Sequence, residues 1–339
     1  MLLTRHLRNH VNFGSRTLLR PFTELVKPDY SIESVAYPRR QKKLADLALE
    51  TINVEESIRD AGVFHLTLNR PTRGNAFNMQ MWHEFQDAFK AVEGDKSARV
   101  VVLTGSSTSF STGMDLSVFA EMQKMAMSEP CEGRRREALI NFVQFLQDAI
   151  SAPEKCSVPV IAAVSGYCIG GAVDLITACD LRYCTDNSMF CIKETDLAMV
   201  ADIGTLQRLP SIIGDQQTRE LAYTGRTILG KEAESLGLVL KSFATEELMD
   251  DHVQKTSAAI AAKSPLTIRY DYHCIKSVNR IAGQQLVDQN DHNEKPTLMF
   301  YSFFMFFFKG DKENPVVQSG PQHHRIAGSS QDVECCSSI

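Results

Sequence analysis

Residues 159–180, PVIAAVSGYCIGGAVDLITACD, decide the fold. The first part, PVIAAVSG, is an unbroken apolar run of strand length closed by a glycine, which reads as a strand buried on both faces. The second part, YCIGGAVDLITACD, starts a helix at the pair Gly170 and Gly171. The same order of strand, glycine and helix occurs earlier, where RVVVLTG (99–105) leads into SFSTGMDL (109–116). STGMDL and GGAVDL are loosely similar, so the chain predicts stacked repeats of one unit.

Upstream, GVFHLTLNR (62–70) sets Phe64, Leu66 and Leu68 on one side of a half-buried strand, and a turn follows in RPTRGNAFN. From Asn78 the spacing changes: Trp82, Phe85, Phe89 and Val92 return every three or four residues, which predicts an amphipathic helix with the tryptophan in the core. Downstream, LRYC and MFCIKE read as short strands and GTLQRLPSIIG as helical. EAESLGLV reads as a helix ending at Gly237 before a strand, 246–263 as a long helix, and Pro265 as the start of another running to about Val278. Strands alternating with helices over this length indicate an α/β domain.

The boundaries follow from composition. The folded core is expected over residues 51–263 and a C-terminal helical region from 264 to 280. Residues 1–40 carry Arg5, Arg8, Arg16 and Arg20 with no acid before Glu24, the pattern of a mitochondrial transit peptide followed by a linker; the bland alternative is a disordered basic arm. Residues 281–339 change character. They hold the phenylalanine-rich LMFYSFFMFFFK, too short for a usual membrane helix, and then a stretch without period that reads as disorder.

With 339 residues, 43% of them hydrophobic, and a formal net charge of −5, the chain can bury a large core and has no overall basic field for nucleic acid. Nine cysteines without a CxxC pair fit neither a disulfide framework nor a zinc module, and Cys168, Cys179, Cys184 and Cys191 read as small buried hydrophobes.

Three acids stand out. Asp174, Glu194 and Asp202 lie among apolar or small residues, where a carboxylate costs free energy unless it is paired or used. Gly170 and Gly171 sit where a strand gives way to a helix, so the backbone can approach a ligand closely and its free N–H groups can stabilise a carbonyl oxygen that gains charge. Close helix packing is an equal use for such a pair. The Met114 amide after Gly113 offers a second donor, and spacing alone does not bring the two together.

The motifs become specific in combination. Through NRPTRGNAFN, SFSTGMDL, PVIAAVSGYCIGGAVDL, GTLQRLPSIIG and LAYTGRTILGKEAESLGLV, residues 52–265 resemble the enoyl-CoA hydratase/isomerase superfamily, the crotonase fold. The resemblance implies a spiral of strand–strand–helix units with a C-terminal helical region. Hydratases of the family carry glutamate where this chain has Asp174 and a second glutamate at Glu194. GGAVDL, KETD and VADIGTLQRLP instead resemble the branch that moves the double bonds of 3,5-dienoyl-CoA thioesters to the 2,4 positions.

By that resemblance Asp202 takes the C2 proton, Glu194 delivers one at C6, Asp174 positions or tunes these acids, and the amides of Met114 and Gly171 form an oxyanion hole. Arg73, Asn75, Ala76, Phe77, Gly113 and Gly170, with Arg70 nearby, fall in segments that contact the substrate and its CoA moiety in the family. Asp180, Asp186 and Asp196 match nothing and read as turn or capping acids. No metal or separate cofactor is expected, since coenzyme A belongs to the substrate. A fatty acyl-CoA thioester is the expected partner, with no nucleic acid and no membrane span. The family also implies homotrimers, often paired into hexamers, if the altered tail permits them. Location in the mitochondrial matrix is expected, with peroxisomes as the alternative. Two other readings stand beside this one: an enoyl-CoA hydratase, and a catalytically silent relative that binds acyl-CoA or RNA.

Overall fold

The computed structural model describes residues 44–129, 131–271 and 274–275. The basic segment, the phenylalanine-rich tail and the end of the helix begun at Pro265 lie outside the described residues. Leu44 and Leu49 pack against the core, so the packed body extends upstream of the expected start at Thr51.

β1 (Ile52–Glu56) and β2 (Val63–Leu68) pair antiparallel, with Ile52 opposite Leu68. β1 escapes the alternation rule because only Ile52 of its five residues is buried. The helix predicted from Asn78 is α1 (Met79–Gly94), and the Asn78 side chain caps it by accepting the Met81 N–H at 3.0 Å. It buries Trp82, Phe85, Phe89 and Val92 as the spacing requires.

Next come β3 (Val100–Gly105), β4 (Ser109–Ser111) and the helices α2 (Leu116–Ser128), α3 (Glu132–Ile150) and α4 (Ala152–Lys155). β5 (Val160–Val164) and β6 (Tyr167–Ile169) lead into α5 (Gly171–Thr177). β7 (Leu181–Thr185) and β8 (Met189–Cys191) precede α6 (Thr205–Ile213) and α7 (Asp215–Thr224). The last elements are β9 (Ile228–Leu229), α8 (Gly230–Ser235), β10 (Lys241–Phe243) and α9 (Glu246–Ala261), after which 265–271 is helical.

The repeat expected from the glycine motifs is built as strand pairs. In the pairs β3/β4, β5/β6 and β7/β8 the first strand joins a six-stranded sheet in the order β1-β2-β3-β5-β7-β10, and the second joins a four-stranded sheet in the order β4-β6-β8-β9. β3, β5 and β7 are parallel neighbours in the large sheet, as β4, β6 and β8 are in the small one. Each turn of the chain therefore adds one strand to both sheets, which is the strand–strand–helix spiral.

Both faces of the large sheet are covered, and this explains why Val100 to Leu103 of β3 and all of β5 are apolar. Val101, Leu103, Val160 and Ala162 pack toward Trp82 and Phe85 of α1, whereas Val100, Val102 and Ile161 pack toward Met249 and Val253 of α9. Cys168, Cys179, Cys184 and Cys191 are all buried in this body. None of the helices among the described residues is long and apolar enough to cross a membrane.

Candidate active site

Parallel pairing of the short strands brings three chain segments together. Ser111 of β4 lies opposite Cys168 of β6, and Ile169 of β6 opposite Cys191 of β8. The residues that follow, Gly113 with Met114, Gly170 with Gly171, and Lys193 with Glu194, consequently leave the sheet side by side. No spacing in the sequence could reveal this, because the partners are some 20 to 60 positions apart.

The two expected donor amides are neighbours. A methyl group added to Gly171 would lie 3.8 Å from the Met114 nitrogen, and one added to Gly113 would lie 3.1 Å from the Gly171 nitrogen and 2.6 Å from the Ile169 carbonyl oxygen. Gly113 has φ +87° and Gly170 has φ +55°, the left-handed region where a side chain is strained, so the backbone here needs glycine on both counts. The Gly171 N–H belongs to the first turn of α5, where no intrahelical acceptor exists. Met114 forms a bridge with Phe77 that uses the N–H groups of Phe77 (2.8 Å to Gly113 O) and Asp115 (3.0 Å to Phe77 O) and leaves the Met114 N–H to the site.

The acids approach from three directions. Glu194 opens a single 3-10 turn, Glu194–Leu197, which Ala198 closes in a left-handed conformation (φ 54°) while the Met199 N–H donates to the Glu194 carbonyl at 2.9 Å. Its Oε1 lies over Gly170, 3.1 Å from where a methyl on that glycine would stand, and its Oε2 is buried without a hydrogen-bond partner among the described residues. Asp174, on α5, is wholly buried; its Oδ1 accepts the Thr205 N–H at the start of α6, and its Oδ2 is unpartnered. Asp202 precedes α6, and its carbonyl is held by the amide groups of Gln147 (2.9 Å) and Gln207 (3.1 Å).

A cavity of about 260 Å³ opens between these segments and the α2–α3 hairpin. Met114, Gly170, Gly171, Glu194 and Asp202 line it, and Leu116, Phe119, Met122, Leu139, Phe142 and Leu146 supply an apolar wall. Asp174 is buried and does not line it.

Burial governs the charge of all three acids. It pushes the Glu194 carboxyl well above its ordinary range, and the charge on Asp174 adds to the rise. Burial also raises Asp174, against the opposing pull of the Thr205 amide and the Arg208 guanidinium. Asp202 is raised by burial as well. Carboxyls in a dry pocket beside two free amides can take and give protons while an oxyanion is held.

The segment expected to contact CoA lies off the cavity and braces the site. None of Arg73, Asn75, Ala76 and Phe77 lines the cavity. Asn75 is buried with φ 55°; its side chain accepts from the Arg70 N–H (2.8 Å) and donates to Ser106 O (2.9 Å) and Ser109 O (2.7 Å), stapling the turn to the strand ends. The Asn75, Ala76 and Phe77 N–H groups are given to Arg70 O, Arg73 O and Gly113 O. Arg70 pairs with Asp115 at 3.0 Å and donates to Ala76 O, whereas Arg73 is exposed. This segment props up the loop that carries Met114.

Asp180 accepts the Val160 N–H at 2.7 Å, Asp186 pairs with Lys231 at 3.3 Å, and Asp196 pairs with Lys193, so the three unmatched acids serve turns and surface contacts. Thr205, Gln147 and Arg208, which sequence reasoning did not single out, surround the acids. Thr205 and Arg208 had only their place in the helical reading of GTLQRLPSIIG as a signal, and Gln147 had none. No cluster of metal-ligating side chains occurs among the described residues.

Comparison with known proteins gives the family of the chain. The family model described as enoyl-CoA hydratase/isomerase matches residues 58–305. The chain is 43% identical over 225 residues, 66% of its length and 81% of the relative's, to the peroxisomal Delta(3,5)-Delta(2,4)-dienoyl-CoA isomerase of Arabidopsis thaliana. It is 37% identical over 266 residues, 76% of its length and 75% of the relative's, to the mitochondrial Delta(3,5)-Delta(2,4)-dienoyl-CoA isomerase of Homo sapiens. Among solved structures, a putative enoyl-CoA hydratase from Thermobifida fusca in complex with acetoacetyl-CoA superposes with a TM-score of 0.61 at 28% identity, covering 74% of this chain and 96% of that one. The chain belongs to the enoyl-CoA hydratase/isomerase family and has its crotonase fold.

Proposed function

We propose that this protein converts 3,5-dienoyl-CoA thioesters into 2,4-dienoyl-CoA thioesters in the β-oxidation of unsaturated fatty acids. The observation that carries the reading is the arrangement of two separate carboxyls, Glu194 and Asp202, with two adjacent amides on one largely apolar cavity. Moving a conjugated pair of double bonds along an acyl chain removes a proton at C2 and returns one at C6, so it needs two acid/base groups set apart and a means of holding the intermediate charge. Asp202 takes the C2 proton. The electron pair spreads through the diene, and the thioester oxygen is stabilised by the N–H groups of Met114 and Gly171. Glu194, which burial keeps protonated, gives its proton to C6. One proton leaves the substrate and one enters, so no oxidant or redox cofactor is consumed.

Gly113 and Gly170 give the thioester room, and Arg73 with the turn of Asn75, Ala76 and Phe77 forms the edge toward which the CoA moiety extends. The dienoyl-CoA isomerases named above include a mitochondrial and a peroxisomal protein, which supports a mitochondrial location with peroxisomes as the alternative. Leu266, Tyr270 and Ile275 stand 64–69% exposed, which favours cover by a second copy and hence the trimer or paired trimer of the family.

The test is to add a 3,5-dienoyl-CoA to the protein and follow the ultraviolet change of the conjugated product. Turnover is expected, and Asp202→Asn or Glu194→Gln should lower it by about 10²–10⁴ with thioester binding retained. Full turnover in both variants would overturn the assignment, and water addition to a 2-enoyl-CoA in its place would make the protein a hydratase.

A further inference from the structure

Asp174, buried off the cavity, and Glu194, on its wall, act on each other, and each has one oxygen without a partner among the described residues. Two acids so placed do not both ionise readily. Isomerisation needs the retained proton on Glu194, at the cavity, rather than on the sealed Asp174.

The structure around Asp174 is asymmetric in a way that makes this choice. Its Oδ1 caps the N-terminus of α6 through the Thr205 N–H. One turn further along α6, Arg208 turns back over the same helix end. Its Nε (2.9 Å) and Nη2 (2.7 Å) bond to the Glu154 carboxylate and its Nη2 also to Ser151 Oγ (2.7 Å), while Nη1 is buried without an acceptor among the described residues. That Nη1 lies against the backbone of Gly204, where a methyl would overlap it. The guanidinium thus spans from the surface carboxylate Glu154 to the buried helix end at Gly204, next to the Thr205 N–H that Asp174 accepts. The charged or titratable groups acting on Asp174 and Glu194 are each other, Asp202 and Arg208, and the thiols of Cys168 and Cys191 also feel them; the pull of Arg208 falls on Asp174.

We propose that Arg208 is a positioning residue: seated in the space left by Gly204, its guanidinium keeps Asp174 ionised, so that the proton held between Asp174 and Glu194 rests on Glu194. The inference deepens the isomerase reading and rests on it for its purpose, but the proton placement is a property of the protein without substrate.

The experiment follows the Asp and Glu carboxyl carbons of the full chain, isotopically labelled and without substrate, through a pH titration, with the Glu194 signal identified by its loss in Glu194→Gln. In Arg208→Met the Glu194 carboxyl is expected to ionise at least one pH unit lower than in the wild type, the alkaline limb of turnover to move with it, and KM to change little. Arg208→Lys, which keeps a charge, should restore much of the shift. If Arg208→Met does not fold, Gly204→Ala displaces the same guanidinium and is expected to move Glu194 in the same direction. An unchanged Glu194 titration in the folded variant would overturn the proposal and leave Arg208 as a clamp between α6 and Glu154. Absence of dienoyl-CoA turnover in the wild type would instead strike the isomerase reading, while the titration would still decide the placement of the proton.

Discussion

From β3 onward the six-stranded and four-stranded sheets receive one strand each from every strand pair, yet they are built for different ends. In the large sheet Val100 to Leu103 and all of β5 are buried, and packed layers cover both faces. In the small sheet β4, β6 and β8 have three residues apiece, and the chain leaves them in glycines, free amides and acids with unpartnered oxygens. The difference teaches why both are needed. A bonded amide or a paired carboxylate adds stability and is unavailable to a substrate, so the groups that do chemistry must be left unsatisfied by one sheet and held in place by the other.

Leu103→Ala puts the hardest strain on this division. Leu103 is wholly buried in the large sheet, and truncation should cost about 2–5 kcal/mol in chemical denaturation while the activity of the molecules that remain folded stays the same. Gly113→Ala is the converse. The added methyl meets Ile169 O and the Gly171 nitrogen, the peptide that carries the Met114 N–H must rotate, and turnover should fall about 10²–10³ as one oxyanion donor is lost. Equal losses of stability and activity in both variants would show that the two sheets are not specialised.

The pH dependence sharpens the same contrast with a smaller effect. Glu194 is pushed up to about 8 and must be protonated to act, so turnover is expected to fall about tenfold per pH unit above that value. Stability should move with it. Between the ordinary glutamate value of 4.5 and about 8 the folded protein holds a proton that the unfolded chain has released, so folding is favoured at the acid end of this window and weakens as pH rises through it. Melting temperatures from pH 5 to 8 read this directly, and Glu194→Gln should flatten the slope.

How much of this was visible in the sequence depends on which sheet a residue serves. Phe64, Leu66 and Leu68, or Trp82, Phe85 and Phe89, repeat with the period of their element because one face meets the core. Three-residue strands are too short to show a period, so YCI was read only as the lead into a helix. Residues 116–150 went unassigned because part of their apolar surface, Phe119, Met122, Leu139 and Phe142 among it, faces a cavity in place of a packed layer. Asp174, Glu194 and Asp202 could be picked out as costly acids and given roles by resemblance. Their mutual arrangement, the Asn75 staple and the place of Arg208 depend on contacts across 30 to 60 residues, which no local pattern encodes.

The buried cysteines give the fold a reporter of its own opening. Burial raises the thiols of Cys168, Cys179 and Cys184, so they carry almost no thiolate at neutral pH and react slowly with electrophiles. Cys131 and Cys274 are exposed and free to react at once. Each excursion that parts the strand layers converts inert sulfur into reactive sulfur, and the rate of slow labelling in the native protein therefore counts those excursions one molecule at a time.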